Sequence, residues 1–369
     1  MSSTGPLAGI NVLEVESIGP GPFAAMILAD MGANVLRIAR PGADDKRRNP
    51  VLSRGRAGTL PLNLKNRPEV ERLIGLMGRA DALIEGFRPG VMERLGLGPE
   101  ACMNRNSKLV YGRVTGWGRS GPLAQTAGHD INYIALTGAL HACGTAESGP
   151  VPPLNLVGDF GGGGLMLAFG IVCALFEARA SGRGQIVDAA MIDGASLLMS
   201  MMYGMRGMGR WPASRAGNLL DGSAYFYTCY KCSDGGWMAV GALELKFRLQ
   251  LLNLLGLGAE AKSMLVARDD DPDVRKRIAD VFRSRSRSEW QRVFDGTDAC
   301  VSPVLDLEEA RLHPQNADWG TFSQVNGMIH PNPAPRFSRS STSRIDSPDS
   351  RNHRMSDLQA WGLSGNDVL

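Results

Sequence analysis

Short apolar runs alternate with longer amphipathic segments near the start of the chain. Ile10–Val15 is an apolar run typical of a buried strand, and Phe23–Met31 has the Ala, Leu and Met content of a helix that ends at Gly32. Asn34–Ala39 is a second apolar run. A strand, a helix and a strand in this order predict a β-α-β unit of a parallel sheet.

The same alternation continues to about residue 190. The pattern predicts further strands at Ala80–Glu85, Leu109–Thr115 and Gln185–Ala189. It predicts further helices over 67–79, 90–96 and 165–178. Strands that alternate with helices indicate the α/β class with a doubly wound parallel sheet.

The pattern changes after residue 190. Residues 191–208 are dense in methionine, which indicates core packing or a soft surface for acyl chains. Tyr225–Val240 is aromatic and β-branched, and helical patterns follow to about residue 310, as in a smaller α+β domain. The predicted division is a large domain of residues 1–190 and 331–369, linkers at 191–225 and 312–330, and a small domain at 226–311. Pro331–Asp349 is rich in Pro, Ser and Arg, so we expect an exposed strap there.

Composition narrows the class of protein. With 43% hydrophobic residues and a net charge of +3 in 369 residues, the chain is globular and too balanced for a general nucleic-acid binder. Cys229 and Cys232 form a CxxC with no second metal-ligand pair, so we expect free thiols and no metal site. The longest apolar stretch, 165–176, is too short to span a bilayer, and the N-terminus lacks a signal-peptide pattern. We therefore expect a cytoplasmic protein without a membrane partner.

Glycine-rich turns between residues 113 and 164 carry the candidate chemistry. His129 lies in Gly128-His129-Asp130, and Asp159 follows Gly158. An imidazole and a carboxylate in turns that a ligand can approach suit a two-base proton transfer, although a lone histidine is more often structural. Gly161–Gly164 indicates either main-chain donors at the N-terminus of the next helix or a crowded helix–sheet contact.

A series of short motifs lies between Gly5 and Arg339. They are Gly19-Pro20-Gly21-Pro22, Arg37–Pro41, Leu62–Lys65, Glu85–Gly90, Thr115–Gly118, Gly128–Asp130, Gly158-Asp159 and Asp188–Met191. In these motifs and their order, the chain resembles the type III coenzyme A transferases and, within them, the α-methylacyl-CoA racemases. The resemblance implies a Rossmann-like large domain that binds coenzyme A, a small α+β domain and an interlocked homodimer.

The resemblance also implies roles for four site residues. His129 and Asp159 are the expected catalytic pair, one removing the proton α to the thioester carbonyl and the other returning a proton to the opposite face. Glu244 matches the acidic residue of the small domain that contacts the histidine, and Asp130 matches an orienting residue. The alternatives are a surface carboxylate for Glu244 and a helix cap for Asp130.

The nucleotide and pantetheine contacts are implied in the same way. Arg40, Lys65, Arg88 and Arg94 match positions that contact the nucleotide. Neighbouring contacts are expected from Leu62, Asn63, Leu64, Gly86, Phe87, Gly128, His129, Asp130, Ile131, Asn132 and Tyr133. A basic run lies between Arg40 and Lys65 and comprises Lys46, Arg47, Arg48, Arg54 and Arg56. It is either a solvated loop or a segment that contacts the 3′-phosphate.

The predicted function is racemisation of 2-methylacyl-CoA thioesters through an enolate. Coenzyme A is then part of the substrate, and we expect no separate cofactor. The alternative is a type III CoA transferase, in which Asp159 attacks a donor thioester and forms an aspartyl anhydride. A second alternative is a CoA-binding protein without catalysis.

Overall fold

The computed structural model describes residues 5–42, 49–211, 214–342 and 357–368. The chain forms two compact units. Unit 1 comprises Met1–Thr137, Pro153–Leu198 and Gln315–Leu369, and unit 2 comprises Gly138–Pro152 and Met199–Pro314. Relative to the division predicted from the sequence, residues 138–152 belong to unit 2 and residues 315–330 to unit 1.

Unit 1 contains a parallel sheet in the order β3-β2-β1-β4-β5-β8. Both faces of its central strands are buried, which explains why these strands are near-continuous apolar runs. The strands are β1 (Asn11–Val15), β2 (Asn34–Ala39), β3 (Arg56–Pro61), β4 (Ala82–Glu85), β5 (Val110–Thr115) and β8 (Ile186–Ala190).

The strand order reverses between β1 and β4. The chain places β2 and β3 on one side of β1 and then returns to place β4 and β5 on the other. In open α/β sheets, ligands bind outside the carboxyl ends of the strands at such a switch point. The predicted α/β class with a parallel sheet is confirmed.

Helices cover both faces of the sheet. Leu28 of α1 and Ile171 of α7 belong to the core on one face, and Leu73 and Met77 of α2 belong to the core on the other. The helices of unit 1 are α1 (Pro20–Asp30), α2 (Arg67–Met77), α3 (Val91–Arg94), α4 (Pro99–Arg105), α5 (Asp130–Ala135), α7 (Met166–Ser181) and α8 (Met191–Leu198).

A π-helix at Leu156–Leu165 leads directly into α7. α7 begins one residue after the start of the predicted helix at 165, but Gly161–Gly164 lie inside the π-helix and so do not form the helix N-terminus that was expected there. Their small size lets it meet α8 backbone to backbone: a Cβ built on Gly194 would lie 1.9 Å from the carbonyl oxygen of Gly162. The crowded contact expected from the glycine run is thus made with helices.

The outer face of this long helix is apolar and exposed. Leu156–Ser181 is long and apolar enough to cross a bilayer, but residues such as Ile171 pack into the core of unit 1. On the opposite side of α7, Phe169 is 64% and Phe176 79% exposed. The expectation that this apolar segment is too short to span a bilayer is therefore wrong, although the burial of one side is also found in core helices of globular proteins.

Unit 2 is built around an antiparallel sheet in the order β11-β10-β9. Its core contains Tyr230, Phe282, Trp290 and Phe294, whose rings pack together. The elements are the hairpin β6 (Gly144–Thr145) and β7 (Gly149–Pro150), strands β9 (Tyr227–Lys231), β10 (Trp237–Gly241) and β11 (Val301–Pro303), and helices α6 (Ala139–Ala142), α9 (Ser200–Gly207), α10 (Leu245–Leu254), α11 (Ala261–Val266), α12 (Pro272–Phe282), α13 (Arg287–Phe294) and α14 (Leu307–Leu312).

The last part of the chain begins with α15 (Pro314–Trp319) and a hairpin of β12 (Phe322–Val325) and β13 (Met328–Pro331). Residues 332–342 carry no regular helix or strand and are mostly exposed, as expected of a strap. The remainder of the predicted strap, 343–349, lies outside the described residues.

The structure also shows where the methionine-rich stretch and the CxxC cysteines lie. Met191 is buried, but Met201 and Met208 are more than half exposed and α9 buries none of its residues, so the methionine-rich stretch is mostly surface. Cys229 is exposed and Cys232 buried, both as free thiols. Among the described residues no His, Cys, Asp and Glu side chains form a group suited to a metal.

Candidate active site

A cavity of about 420 Å³ opens at the carboxyl ends of β1, β4 and β5, at the switch point of the sheet. All of its walls come from unit 1. It is lined by Ile18, Gly19, Pro20, Gly86, Phe87, Arg88, Pro89, Val114, Thr115, Gly116, Trp117, Ala124, Thr126, Ala127, Gly128, His129, Tyr133, Asp159 and Met191.

His129 lies at the mouth of this cavity. It is the N-cap of α5 and has an extended backbone, with φ at −130°. Its own N–H donates to Oδ1 of Asn132 over 3.0 Å, which fixes the start of the helix. The His129 side chain is exposed, so its imidazole is accessible from the cavity.

Asp159 occupies the first turn of the π-helix and lines the same cavity. Burial, together with the nearby charge of Asp130, raises the pKa of this carboxyl above its usual value. Nδ2 of Asn155 donates to Oδ2 of Asp159 over 3.2 Å and opposes the rise, as does His129. A carboxyl whose pKa is raised holds a proton more readily, as a general acid must.

Asp130 joins the two candidate catalytic residues. It directly follows His129, and its Oδ2 accepts the N–H of Asp159 over 2.6 Å. The Asp130 side chain is buried, and Gly158 leaves the space that this contact needs, since a Cβ there would lie 2.6 Å from Oδ2. The N–H of Asp159 is therefore occupied by Asp130 and does not face a ligand.

Glu85 lies behind the cavity wall at the end of β4. Its side chain is 3% exposed, and burial raises the pKa of this carboxyl to about 7. Its Oε2 accepts the N–H of Phe87 over 2.8 Å, and Arg113 lies opposite in register on β5. The carboxyl thus fixes the turn that carries Gly86, Phe87 and Arg88 into the wall.

Two aromatic rings, those of Trp117 and Tyr133, form part of the cavity wall. Trp117 and Tyr133 meet edge to face with their centroids 4.8 Å apart, and the Tyr133 hydroxyl donates to the carbonyl of Gly128. A Cβ on Gly116 or Gly128 would enter the Tyr133 ring. Nε1 of Trp117 is buried without a hydrogen-bond partner in the described part of the chain.

The expected nucleotide contacts separate into two groups. Gly86, Phe87, Arg88, Gly128, His129 and Tyr133 line the cavity. The others lie outside its lining, although Arg40 follows β2 and Leu62–Lys65 follows β3 at the same edge of the sheet, while Arg94 ends α3. Arg40, Lys65 and Arg94 are exposed, whereas Leu62 is a core residue.

The basic run does not act as a phosphate site where the structure describes it. Arg54 pairs with Asp30 over 2.6 Å, and Arg56 pairs over 2.8 Å with the fully buried Glu14. Arg37 also contacts Glu14, over 3.2 Å. Arg54 and Arg56 are thus buried in ion pairs, which fits neither of the two alternatives, a solvated loop or contacts to a phosphate. Residues 46–48 lie outside the described residues.

Glu244 belongs to unit 2. It is exposed and is the N-cap of α10, directly after the loop that follows β10. Sequence reasoning assigned no role to Asn155, whose amide holds Asp159. The spacing of four residues was the available signal, since residues i and i+4 of a helix lie side by side.

A sequence profile of CoA-transferase family III matches residues 7–349. The chain belongs to CoA-transferase family III. Within that family it is 44% identical over 366 residues to the mouse protein named alpha-methylacyl-CoA racemase, covering 98% of this chain and 95% of that protein. It is 45% identical over 332 residues to the human protein of the same name, covering 89% and 86% of the two chains.

The fold is shared with solved structures of the family. A CAIB/BAIF family protein from Brucella suis superposes with a TM-score of 0.81 at 23% identity, covering 97% of this chain and all of that one. This family III member thus has the family's fold along nearly its whole length.

Proposed function

We propose that this chain is an α-methylacyl-CoA racemase. The observation that carries the proposal is that His129 and Asp159 line a single cavity at the switch point of the sheet. The identity of 44–45% to the mouse and human proteins named alpha-methylacyl-CoA racemase supports it.

The reaction breaks one C–H bond and forms another at the carbon α to the thioester. One base takes the α-proton, and the electron pair of the broken C–H bond delocalises onto the thioester oxygen to give a planar enolate. The other group then delivers a proton to the opposite face, so the configuration inverts with no net change in protons. The raised pKa of Asp159 suits a group that must be base in one direction and acid in the other.

The enolate needs donors for its developing negative charge. The first N–H groups of a helix have no partner within that helix, and α5 begins beside His129. The N–H groups of Asn132 and Tyr133 already donate to the carbonyl of His129, so we infer that those of Asp130 and Ile131 serve the thioester oxygen. Glu244 is proposed as the acidic partner of His129, on the strength of its motif.

Coenzyme A is proposed to bind along the same edge of the sheet. Arg40, Lys65, Arg88 and Arg94 are exposed cations near the ends of strands or helices at that edge, and guanidinium and ammonium groups suit phosphates. We further propose that the protein is cytoplasmic and that it needs no cofactor besides the coenzyme A of its substrate.

The second candidate is CoA transfer through Asp159. The half-buried carboxylate at the cavity wall favours it, because a nucleophile needs the same access to the thioester carbon. Transfer does not require a histidine in the same wall, which makes it the weaker candidate.

Exchange in D₂O separates the two functions. A single enantiomer of a 2-methylacyl-CoA, with no acceptor acid, should gain deuterium at the α-carbon while both enantiomers appear, because solvent-exchanged bases return deuterium. His129→Ala should abolish inversion and leave exchange only on the face served by Asp159. NMR and chiral chromatography measure the two outcomes.

A transferase leaves the α-hydrogen in place under these conditions. The proposal of a transferase would therefore replace that of a racemase if the configuration were retained, no deuterium were incorporated and hydroxylamine trapped an acylated Asp159. The Asp159→Ala variant provides the blank for both assays.

A further inference from the structure

The loop between β10 and α10 carries Glu244. This residue caps α10 through its backbone only, because its side chain makes no capping hydrogen bond. Leu243 and Leu245 on either side are 36% and 63% exposed. The direction of the Glu244 carboxylate therefore depends on how firmly the backbone of the loop is held.

One guanidinium holds the two carbonyls directly before Glu244. Nε of Arg248 donates to the carbonyl of Ala242 over 3.3 Å, and Nη2 donates to the carbonyl of Leu243 over 2.9 Å. The guanidinium carbon lies 3.2 Å from the ring centroid of Phe226. The third nitrogen, Nη1, contacts Oδ1 of Asp269 over 3.4 Å.

The N–H side of the loop is tied to main chain instead. The N–H of Gly241 donates to the carbonyl of Cys300 over 2.9 Å, and that of Ala242 to the carbonyl of Phe226 over 2.8 Å. The N–H of Arg248 donates to the carbonyl of Glu244 over 3.0 Å. Arg248 is thus the side chain that completes the fixation of this loop.

We propose that Arg248 is a positioning residue for Glu244 in the proton-transfer reaction. The inference rests on the proposed function, in which Glu244 supports His129. Its planar fork binds two carbonyls at once while its face packs on Phe226, a combination that a lysine ammonium cannot reproduce. Arg248 acts through the backbone of the loop and needs no contact with the substrate.

A double-mutant cycle tests the coupling to Glu244. Arg248→Gln should lower kcat/KM for racemisation by about 10- to 100-fold, the loss typical of a displaced catalytic group, and Arg248→Lys should restore part of it. In a Glu244→Gln background the same substitution should cause little further loss. Equal losses in both backgrounds, or no loss in either, would overturn the inference.

The pH dependence of kcat/KM distinguishes a positioning role from a purely structural one, because a change in loop packing alone would not shift it. Loss of an acidic neighbour weakens a catalytic base, so the limb of kcat/KM on the acid side should shift to lower pH in Glu244→Gln. Arg248→Gln should shift the limb in the same direction. An unshifted limb in Arg248→Gln, beside a shifted one in Glu244→Gln, contradicts the positioning role.

Arg275→Gln is the matched control. Arg275 also lies in unit 2 and holds two successive carbonyls, donating from Nη1 to Gly222 over 2.9 Å and to Ser223 over 3.1 Å. Its loss should reduce stability but leave the pH limb in place. A shift as large as that of Arg248→Gln would assign the effect to general loosening of unit 2 and overturn the inference.

Amide hydrogen exchange separates failure of the inference from failure of the proposed function. Arg248→Gln should lose protection over residues 242–247, and unchanged protection would overturn the anchoring. Wild-type protein that racemises no 2-methylacyl-CoA would overturn the proposed function, and the catalytic half of this inference with it. The exchange result then decides the anchoring alone.

Discussion

At the scale of single residues, Asp159 is adjusted in opposite directions by two neighbours. The negative charge of Asp130 raises the pKa of Asp159, whereas the hydrogen bond from Asn155 lowers it. Burial is the largest influence and also raises this pKa. The readiness of Asp159 to exchange a proton therefore depends on a balance that single substitutions can shift either way.

Asp130→Asn and Asn155→Ala should move the pH profile in opposite directions. In the direction in which Asp159 is the base, kcat/KM falls as pH drops through its pKa. Asp130→Asn keeps an acceptor for the N–H of Asp159 but removes a like charge, so the midpoint should move to lower pH. Asn155→Ala removes a donor to the charged form, so the midpoint should move to higher pH.

Kinetics measured with one enantiomer at a time across the acidic range check both shifts. Shifts of equal sign in the two variants would contradict the opposed roles. If the acidic limb of the pH profile were unshifted in both variants, Asp159 would not be the group whose titration this limb reports.

At the scale of elements, the strands of the central sheet were predictable because they are local apolar runs. Asn34–Ala39 matches the observed β2 at both ends, and β1 differs from its prediction by one residue. Strand β3 was missed because Gly58 and Pro61 interrupt its pattern. The π-helix was missed because four successive glycines suggest a turn, and only the contact with α8 explains them.

The residues of the candidate site were predictable where local motifs mark them. They were not predictable where a partner distant in sequence determines what a side chain contacts. His129, Asp159 and the Gly86–Arg88 turn line the cavity as their motifs suggested. Arg56 was misjudged because its partner, Glu14, lies 42 residues earlier in the chain, and a buried ion pair at that separation leaves no local pattern.

Gly194→Ala tests the close contact between the π-helix and α8. The added methyl would meet the carbonyl of Gly162, so we expect the free energy of unfolding to fall by about 1–3 kcal/mol, the usual effect of overpacking. The activity should fall too, because the π-helix carries Asp159. Chemical denaturation and steady-state kinetics measure the two effects.

Gly204→Ala is the control for helix propensity. Gly204 lies in α9, and a Cβ there meets no atom within 4 Å in the described chain. This variant should gain about 0.5–1 kcal/mol, as expected for Gly to Ala inside a helix. A Gly194→Ala variant as stable as this control would show that α8 can move aside freely.

At the scale of the whole molecule, the exposed apolar face of α7 bears on the homodimer that the sequence resemblance implies. Phe169 and Phe176 are 64% and 79% exposed, and Val172 between them is 39% exposed. Contiguous exposed apolar residues of this size are typical of an interaction site. A second copy of the chain is the occupant that the expected interlocked homodimer would supply.

Sedimentation across a dilution series checks the assembly. If the two chains interlock, monomer should appear only together with loss of secondary structure, because threaded chains cannot separate as folded bodies. Phe176→Asp should reduce dimer yield, whereas Val266→Asp, at an equally exposed apolar position in unit 2, should not. A folded wild-type monomer at low concentration would contradict the interlock.

The buried pairing of Glu14 with Arg37 and Arg56 bears on how ligand binding is driven. Nη2 of Arg56 also donates to the carbonyl of Pro22, so the first turn of α1, which lines the cavity at Pro20, is fastened to β3 before any ligand arrives. A wall fixed in advance loses little conformational entropy on association. The unfavourable entropy of binding should therefore come mainly from ordering the long pantetheine chain of the ester. Calorimetry with full-length and truncated thioesters would then show an entropic penalty that grows with the flexible length of the ligand.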